Sequence, residues 1–366
     1  MSKRTGSNSR RAAKAHASAT GTGYQKVLDW QRQGFPLIIP AVEDAPGVAP
    51  SRSVRAAEVC ATATGWKRER CEEWAAQGFL TTDRPVPDGY DAEQRSLEAH
   101  AANVLGNELS DGQLDGKVLG ITRLRPAPNC PTLVLQPQMA NAVLAALLPR
   151  HESAFGGLKG IPGLRIARLG RNSVILERVG TRTRRARLEL RSQHTGWQPR
   201  LPTDRRTEEG EEIRQLWNSD GSLLPVEEES LDLWNNWPGS RTQIRVDRDW
   251  VLSRMLRRSC LLNKVASAHG WANTYTHGYD DLVLEWCCGI DLVELRELLA
   301  QSGLLRLPPA LTAETLFTPE FTALDDLDTL LIGSGLASLR RRRRRCLITR
   351  EVAHQVQETL RREFAK

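Results

Sequence analysis

Lysine is scarce in this chain, supplying only eight of its 51 basic residues, and methionine (three), tyrosine (four) and phenylalanine (six) are few as well. The arginine bias, with abundant Ala, Gly and Leu, is the composition of a GC-rich genome and says nothing about mechanism. No apolar run approaches the ~18–20 residues of a membrane span. The opening residues Met-Ser-Lys-Arg-Thr-Gly-Ser are not followed by the apolar stretch of a secretory signal. Seven cysteines, an odd number without CxxC spacing, argue for reduced thiols over a disulfide framework or a zinc ribbon. A cytoplasmic setting without membrane contact is expected. Catalytic motifs are missing too. Gly-Gly-Leu-Lys-Gly at 156–160 lacks the spacing and the Lys-Ser/Thr ending of a phosphate-binding loop. No GxSxG elbow and no HExxH helix occurs. The expectation is therefore a protein that is not an enzyme and uses no cofactor or metal.

What is present is positive charge, unevenly spread. The net charge is +7 and the pI about 9.2. Residues 1–14 carry five basic groups and no acid. Residues 158–191 carry ten basic groups against Glu177 and Glu189, and residues 204–232 reverse this with ten acids against three arginines. A basic chain with localised patches is a candidate for binding nucleic acid.

The strongest feature is an internal repeat. Residues 11–36 recur without a gap 44 positions later: Arg-Ala-Ala at 11–13 and 55–57, Ala-Ser-Ala-Thr-Gly at 17–21 and Ala-Thr-Ala-Thr-Gly at 61–65, Trp30 and Trp74, Gln-Gly-Phe at 33–35 and 77–79. Two copies are too few for a solenoid, so each reads as one small folded unit. Within a copy, a small residue is followed four later by Gly, six later by an apolar residue and three later by Trp. The first copy gives Ala17, Gly21, Val27 and Trp30, and the second Ala61, Gly65, Cys71 and Trp74. Breaks at Thr20-Gly21 and Gly34, with Pro36 beyond, predict a helix over 11–19 and another over 23–33.

This spacing resembles helix-turn-helix DNA-binding units, in which the small residue lets two helices cross, Gly takes the turn and the apolar residues face inward. The trailing Trp-x-x-Gln-Gly-Phe also resembles the end of the recognition helix in excisionase-like and mercury-regulator-like proteins. Thr20 and Thr64 depart from the pattern, standing where an apolar residue is commoner. The resemblance implies that the second helix of each copy reads bases, through Tyr24, Gln25 and Lys26 in the first and Lys67, Arg68 and Arg70 in the second. Arg and Lys can bridge guanine acceptors, and Gln the adenine edge. The basic arm, with Arg4, Arg10, Arg11 and Lys14, would add phosphate or minor-groove contacts. Glu69, Glu72 and Glu73 beside the second set favour a helical hairpin used for protein contacts instead.

Further along, Asp91–Leu105 predicts a long helix and Pro85–Gly89 the turn before it. Strands are expected over 117–124, 132–135, 164–169, 173–179 and 182–190, with an apolar helix over 138–148. The hairpins carry Arg182, Arg184, Arg185 and Arg187, which suit a duplex backbone; docking onto the acidic stretch 204–232 of the same chain is an equal reading. A strand over 242–246, helices over 248–269, 291–302 and 349–364, and a strand over 281–286 complete the pattern. Arg340–Arg345, six consecutive arginines, read as an exposed helix start or loop. His269, His277, Asp280, Asp281, Glu285, Cys287 and Cys288 cluster in sequence, at no spacing that defines a zinc or nuclease site.

These features add up to an α+β protein. Its expected parts are a disordered basic arm (1–10), a helix-turn-helix unit (11–40), a linker (41–54) and a second unit with a following helix (55–112). A central domain with a small mixed or antiparallel sheet (117–200), an acidic linker (201–230) and a mainly helical C-terminal region (231–366) follow. The expected function is sequence-specific binding of double-stranded DNA by a nucleoid-associated transcriptional regulator or repressor, of the kind phages and mobile elements also encode. The tandem units would read adjacent major-groove segments, and self-association as a homodimer is a further expectation. The alternatives are an interaction or assembly platform and a metal-dependent nuclease centred on 269–288.

Overall fold

The computed structural model describes residues 10–342, less 11, 15, 18–22, 34, 36–48, 110–116, 155–156, 181–185, 220, 237–241, 266–270, 279–280, 288, 305–319, 325–326 and 333–336. The expected arm before residue 10, most of the linker 41–54, Arg343–Arg345 and the closing helix 349–364 lie outside the described residues.

The first copy of the repeat supplies the helical residues 10, 12–14 and 16–17 (α1) and helix α2, Tyr24–Arg32. The second supplies α3, Ala49–Thr64, and α4, Arg68–Ala76. Helices α2 and α4 are nine residues each and both their ends are displaced by the 44 positions of the sequence repeat. α3 starts inside the expected linker, because Pro50 sits in its first turn, where a missing N–H leaves no bond unmade.

Helix α5, Ala92–Glu108, begins at Asp91, whose Oδ1 accepts the Gln94 amide at 2.9 Å. Eleven of its 17 residues are buried on all sides, so it runs through the core instead of along the surface. Gly106 makes this possible: a Cβ there would stand 2.4 Å from Leu282 Cδ1.

Three small sheets surround α5, and the molecule is mixed α/β. The first holds β1 (Ile121–Arg125), β2 (Thr132–Leu135), β5 (Leu164–Leu169), β6 (Ser173–Arg178) and β7 (Arg187–Ser192), in the order β1-β2-β7-β6-β5. Only β2 and β7 run parallel. Helix α6, Ala140–Leu147, follows β2. The second sheet joins β3 (Arg150–Glu152), β4 (Gly157–Lys159), β8 (Arg205–Arg206) and β9 (Glu212–Gln215) in the order β4-β3-β9-β8. Then come α7 (Pro225–Asn235), α8 (Thr242–Arg257), α9 (Ser259–Leu262) and α10 (Leu292–Gln301). The third sheet is β10 (Trp271–His277), β11 (Asp281–Cys287), β12 (Glu320–Leu324), β13 (Leu327–Ile332) and β14 (Ala337–Arg342), ordered β10-β11-β14-β13-β12 with only β11 and β14 parallel.

The first and third sheets are therefore built alike. Each opens with a hairpin, sets its last strand parallel to the second and adds the remaining two outward. A helix follows the second strand in both, α6 or α10. The sequence echoes this at the second strand, where Thr-Leu-Val-Leu at 132–135 meets Asp-Leu-Val-Leu at 281–284.

Four expectations need correction. Residues 201–230 are not a linker: β8, β9 and the start of α7 occupy them. The acids that suggested a solvated segment fall largely on exposed positions, while Ile213 and Gln215 alternate inward between Glu212 and Arg214. Residues 242–246 open α8 and form no strand. The C-terminal region holds a five-stranded sheet, so it is not mainly helical. Its outer hairpin escaped notice because the polar alternation of Trp271–His277 reads as loop until Leu282, Val283 and Leu284 are paired with it. Finally, Arg340–Arg342 belong to β14, held between β11 and β13 and not in a helix start or loop.

Candidate nucleic-acid interface

Copy two turns from α3 into α4 over 65–67. Gly65 takes φ +64° and a Cβ on it would lie 2.8 Å from Cys260 Sγ, so conformation and close approach both require glycine. Thr64, placed where an apolar residue was anticipated, is fully buried and satisfied: its Oγ1 donates to Cys60 O (2.7 Å) and accepts from Trp66 N (3.1 Å). Cys71 packs beside Cys60 in the interior, and this neighbour, with burial, pushes the Cys60 thiol well above its ordinary range. Both second helices end in the same reversal, Phe35 N to Trp30 O at 3.1 Å and Phe79 N to Trp74 O at 2.9 Å.

The copies share one core of Ala13, Val27, Trp30, Phe35, Ala56, Ala57, Cys60, Cys71, Trp74, Ala75, Phe79 and Leu80. Its aromatic contacts are reciprocal. Trp30 meets Phe79 at 5.1 Å and Phe35 meets Trp74 at 5.0 Å, while Phe35 and Phe79 stack on each other at 4.7 Å. Exchanging the copies maps this set onto itself, which is the signature of a two-fold interface. The repeat is thus a dimer-like body within one chain.

The sequence-predicted site residues divide into groups. Tyr24, Gln25 and Lys26 are exposed on α2, Lys67, Arg68 and Arg70 at the start of α4, and Arg10 and Lys14 on α1. Their charges are answered nearby: Lys26 pairs with Glu73 across the copies, Arg68 with Glu72 (2.9 Å) and Arg70 with Glu73 (2.9 Å). Arg187 is half-exposed and bonds Glu177 at 2.6 Å. Arg4, Arg11, Arg182, Arg184 and Arg185 lie outside the described residues.

The basic hairpins prove partly internal. Arg165 is buried against Glu227 of the acidic stretch with two short bonds (2.8 and 2.6 Å), so intramolecular docking holds for that pair. Arg178 is buried against His100 Nδ1 at 3.0 Å, and desolvation lowers it to about 10. Arg191 pairs with Glu189. Arg168 and Arg171 remain exposed on this face.

Sequence reasoning missed the arginines of α8. Arg257 is fully buried, bonds both oxygens of Glu98 at 2.6 Å and donates to the carbonyls of Pro87, Pro126, Ala127 and Pro128. Arg254 clasps Asp88, and Arg258 bonds Ser302. Among 43 arginines no local signal marks these as interior.

In the 269–288 cluster, Asp281 accepts from Ser338 Oγ (2.9 Å). Glu285 accepts from the Tyr275 hydroxyl (3.1 Å), which accepts from Arg340 (3.0 Å). His269, Asp280 and Cys288 fall outside the described residues. Among the described residues no group of three His, Cys, Asp or Glu could hold a metal, and no helix is long and apolar enough to cross a membrane. No family model, curated protein or solved structure matches the chain significantly.

Proposed function

We propose that this chain binds double-stranded DNA through its doubled N-terminal body, as a transcriptional regulator would. The observation that carries the reading is the pairing of two equivalent nine-residue helices, each presenting polar and basic residues at its exposed start, inside one dimer-like unit. Exposed ion pairs such as Arg68–Glu72 contribute little in water, so these guanidiniums can exchange a carboxylate for a guanine edge or a phosphate.

The mode of reading differs from two helices in successive grooves. Half-sites of that kind lie ~34 Å apart, whereas a nine-residue helix is only ~14 Å long. α2 and α4 touch through Lys26–Glu73 and Trp30–Phe79. One helix therefore enters a groove while the other lies over the backbone. Lys67, Arg68 and Arg70 make α4 the reading helix, and Arg10 and Lys14 hold phosphates. Gel shift on duplex DNA tests this. Replacing Lys67, Arg68 and Arg70 together by Ala is expected to abolish sequence preference. An unchanged, sequence-selective shift would remove α4 from the interface.

A second reading keeps support from one observation: Glu69, Glu72 and Glu73 make the α4 face mixed in charge, as suits a protein partner. Binding of a protein that survives the same triple substitution would favour it.

A further inference from the structure

A cleft of about 340 Å3 opens where the end of α2 meets the central body, at the lower end of the ~300–1,000 Å3 typical of small-molecule sites. Its floor is the β1–β2 loop, which also tethers the first repeat copy. Asn129 N donates to Gln33 O at 3.1 Å, and Asn129 Nδ2 to Arg32 O at 2.7 Å. With Nδ2 so committed, the side-chain Oδ1 of Asn129 is buried and accepts no hydrogen bond. Two guanidiniums line the cleft from opposite sides, Arg32 of α2 and Arg187 of β7. Each has one carboxylate partner, Asp29 at 3.0 Å and Glu177 at 2.6 Å, and retains free N–H donors, since a guanidinium carries five. Tyr90, half-exposed, adds an aromatic ring to the lining. Asp91 is the one acid there, and its Oδ1 is occupied by the Gln94 amide.

We propose that this cleft binds a nucleoside monophosphate. The phosphate lies between Arg32 and Arg187, where charge-assisted and forked hydrogen bonds suit it. An exocyclic amino group of the base donates to Asn129 Oδ1, and the base lies against Tyr90. The ligand spans the joint between the repeat body and the rest of the chain, and its binding stands independently of whether the repeat touches DNA.

Calorimetric titration of the full chain with the four nucleoside monophosphates, adenosine and inorganic phosphate tests the site. Saturable one-to-one binding is expected for AMP, CMP or GMP, with UMP weaker because uracil lacks the amino donor. Arg32→Ala, a change at an exposed side chain, should weaken it about tenfold, the loss of one charge-assisted hydrogen bond. Tyr90→Ala should weaken it several-fold. Thermal melts of both variants would establish that they remain folded. Absence of saturable binding by any nucleotide overturns the proposal, as does affinity indifferent to Arg32→Ala. Inorganic phosphate binding as tightly as the nucleotide would overturn the nucleoside assignment.

Discussion

Arg257 and Glu98 are both fully buried, and four carbonyls besides Glu98 accept from the same guanidinium. A buried pair of this kind is weak evidence of net stabilisation, yet removing one partner typically costs about 3–5 kcal/mol. Its role is to fix how the 85–89 turn, the 126–128 loop, α5 and α8 meet. Arginine suits such positions because its delocalised charge is weakly hydrated. Burial lowers Arg258 to about 9, which still leaves it charged at neutral pH. His100 illustrates the opposite case. Stacked on Trp234 at 3.9 Å, it is held well below its ordinary range by burial first and then by Arg178 and Arg248. Its depressed folded-state value means that the unfolded chain takes up a proton near pH 6.5 while the folded chain does not, so stability falls as the pH drops below that point. We expect urea-derived stability to decline between pH 7 and 5.5, with His100 contributing up to ~1.4 kcal/mol per pH unit. In His100→Phe, which keeps an aromatic ring on Trp234, that share of the slope should vanish. An unchanged slope would show that His100 is protonated in the fold.

At the level of elements, the turn at Gly65 is the most constrained joint of the repeat. Gly65→Ala meets a φ of +64° and a Cβ contact of 2.8 Å with Cys260. We expect a loss of about 1–3 kcal/mol in chemical denaturation; a neutral result would mean that the α3–α4 turn relaxes freely away from α9. Much at this scale was legible. The Gly spacing and the Trp positions placed α2 and α4, Asp91 marked the start of α5, and alternation gave β2, β5 and β6. Two things were not. Acidic residues at the outward positions of β9 outweighed Ile213, so a strand looked like a linker. The run of arginines concealed Leu339, whose alternation with Ser338 and Arg340 defines β14. In both, charge on the solvent side of a short strand masked its inward partners, and pairing to distant strands supplied the missing stabilisation.

The whole molecule is doubled twice, once in the repeat body and again in its first and third sheets. The sequence disclosed the first doubling through an ungapped 44-residue shift. It did not disclose that the copies share a core, although Phe35 and Phe79, apolar residues just past equivalent helix ends, were the available sign. The second doubling survives in sequence mainly as Leu-Val-Leu at 133–135 and 282–284, too short to detect before the strand orders are compared. The candidate surface was readable as residue types on α2 and α4. The proximity of those helices was not, because it arises from packing between copies.

Selection of bound duplexes from a random pool, performed with the full chain, tests the central proposal most directly. One chain with α4 in a single groove predicts enrichment of one short contiguous motif containing guanine, lost when Lys67, Arg68 and Arg70 are replaced by Ala. Two half-sites a helical turn apart would contradict the single-groove arrangement, and a pool that emerges unenriched would contradict DNA binding itself.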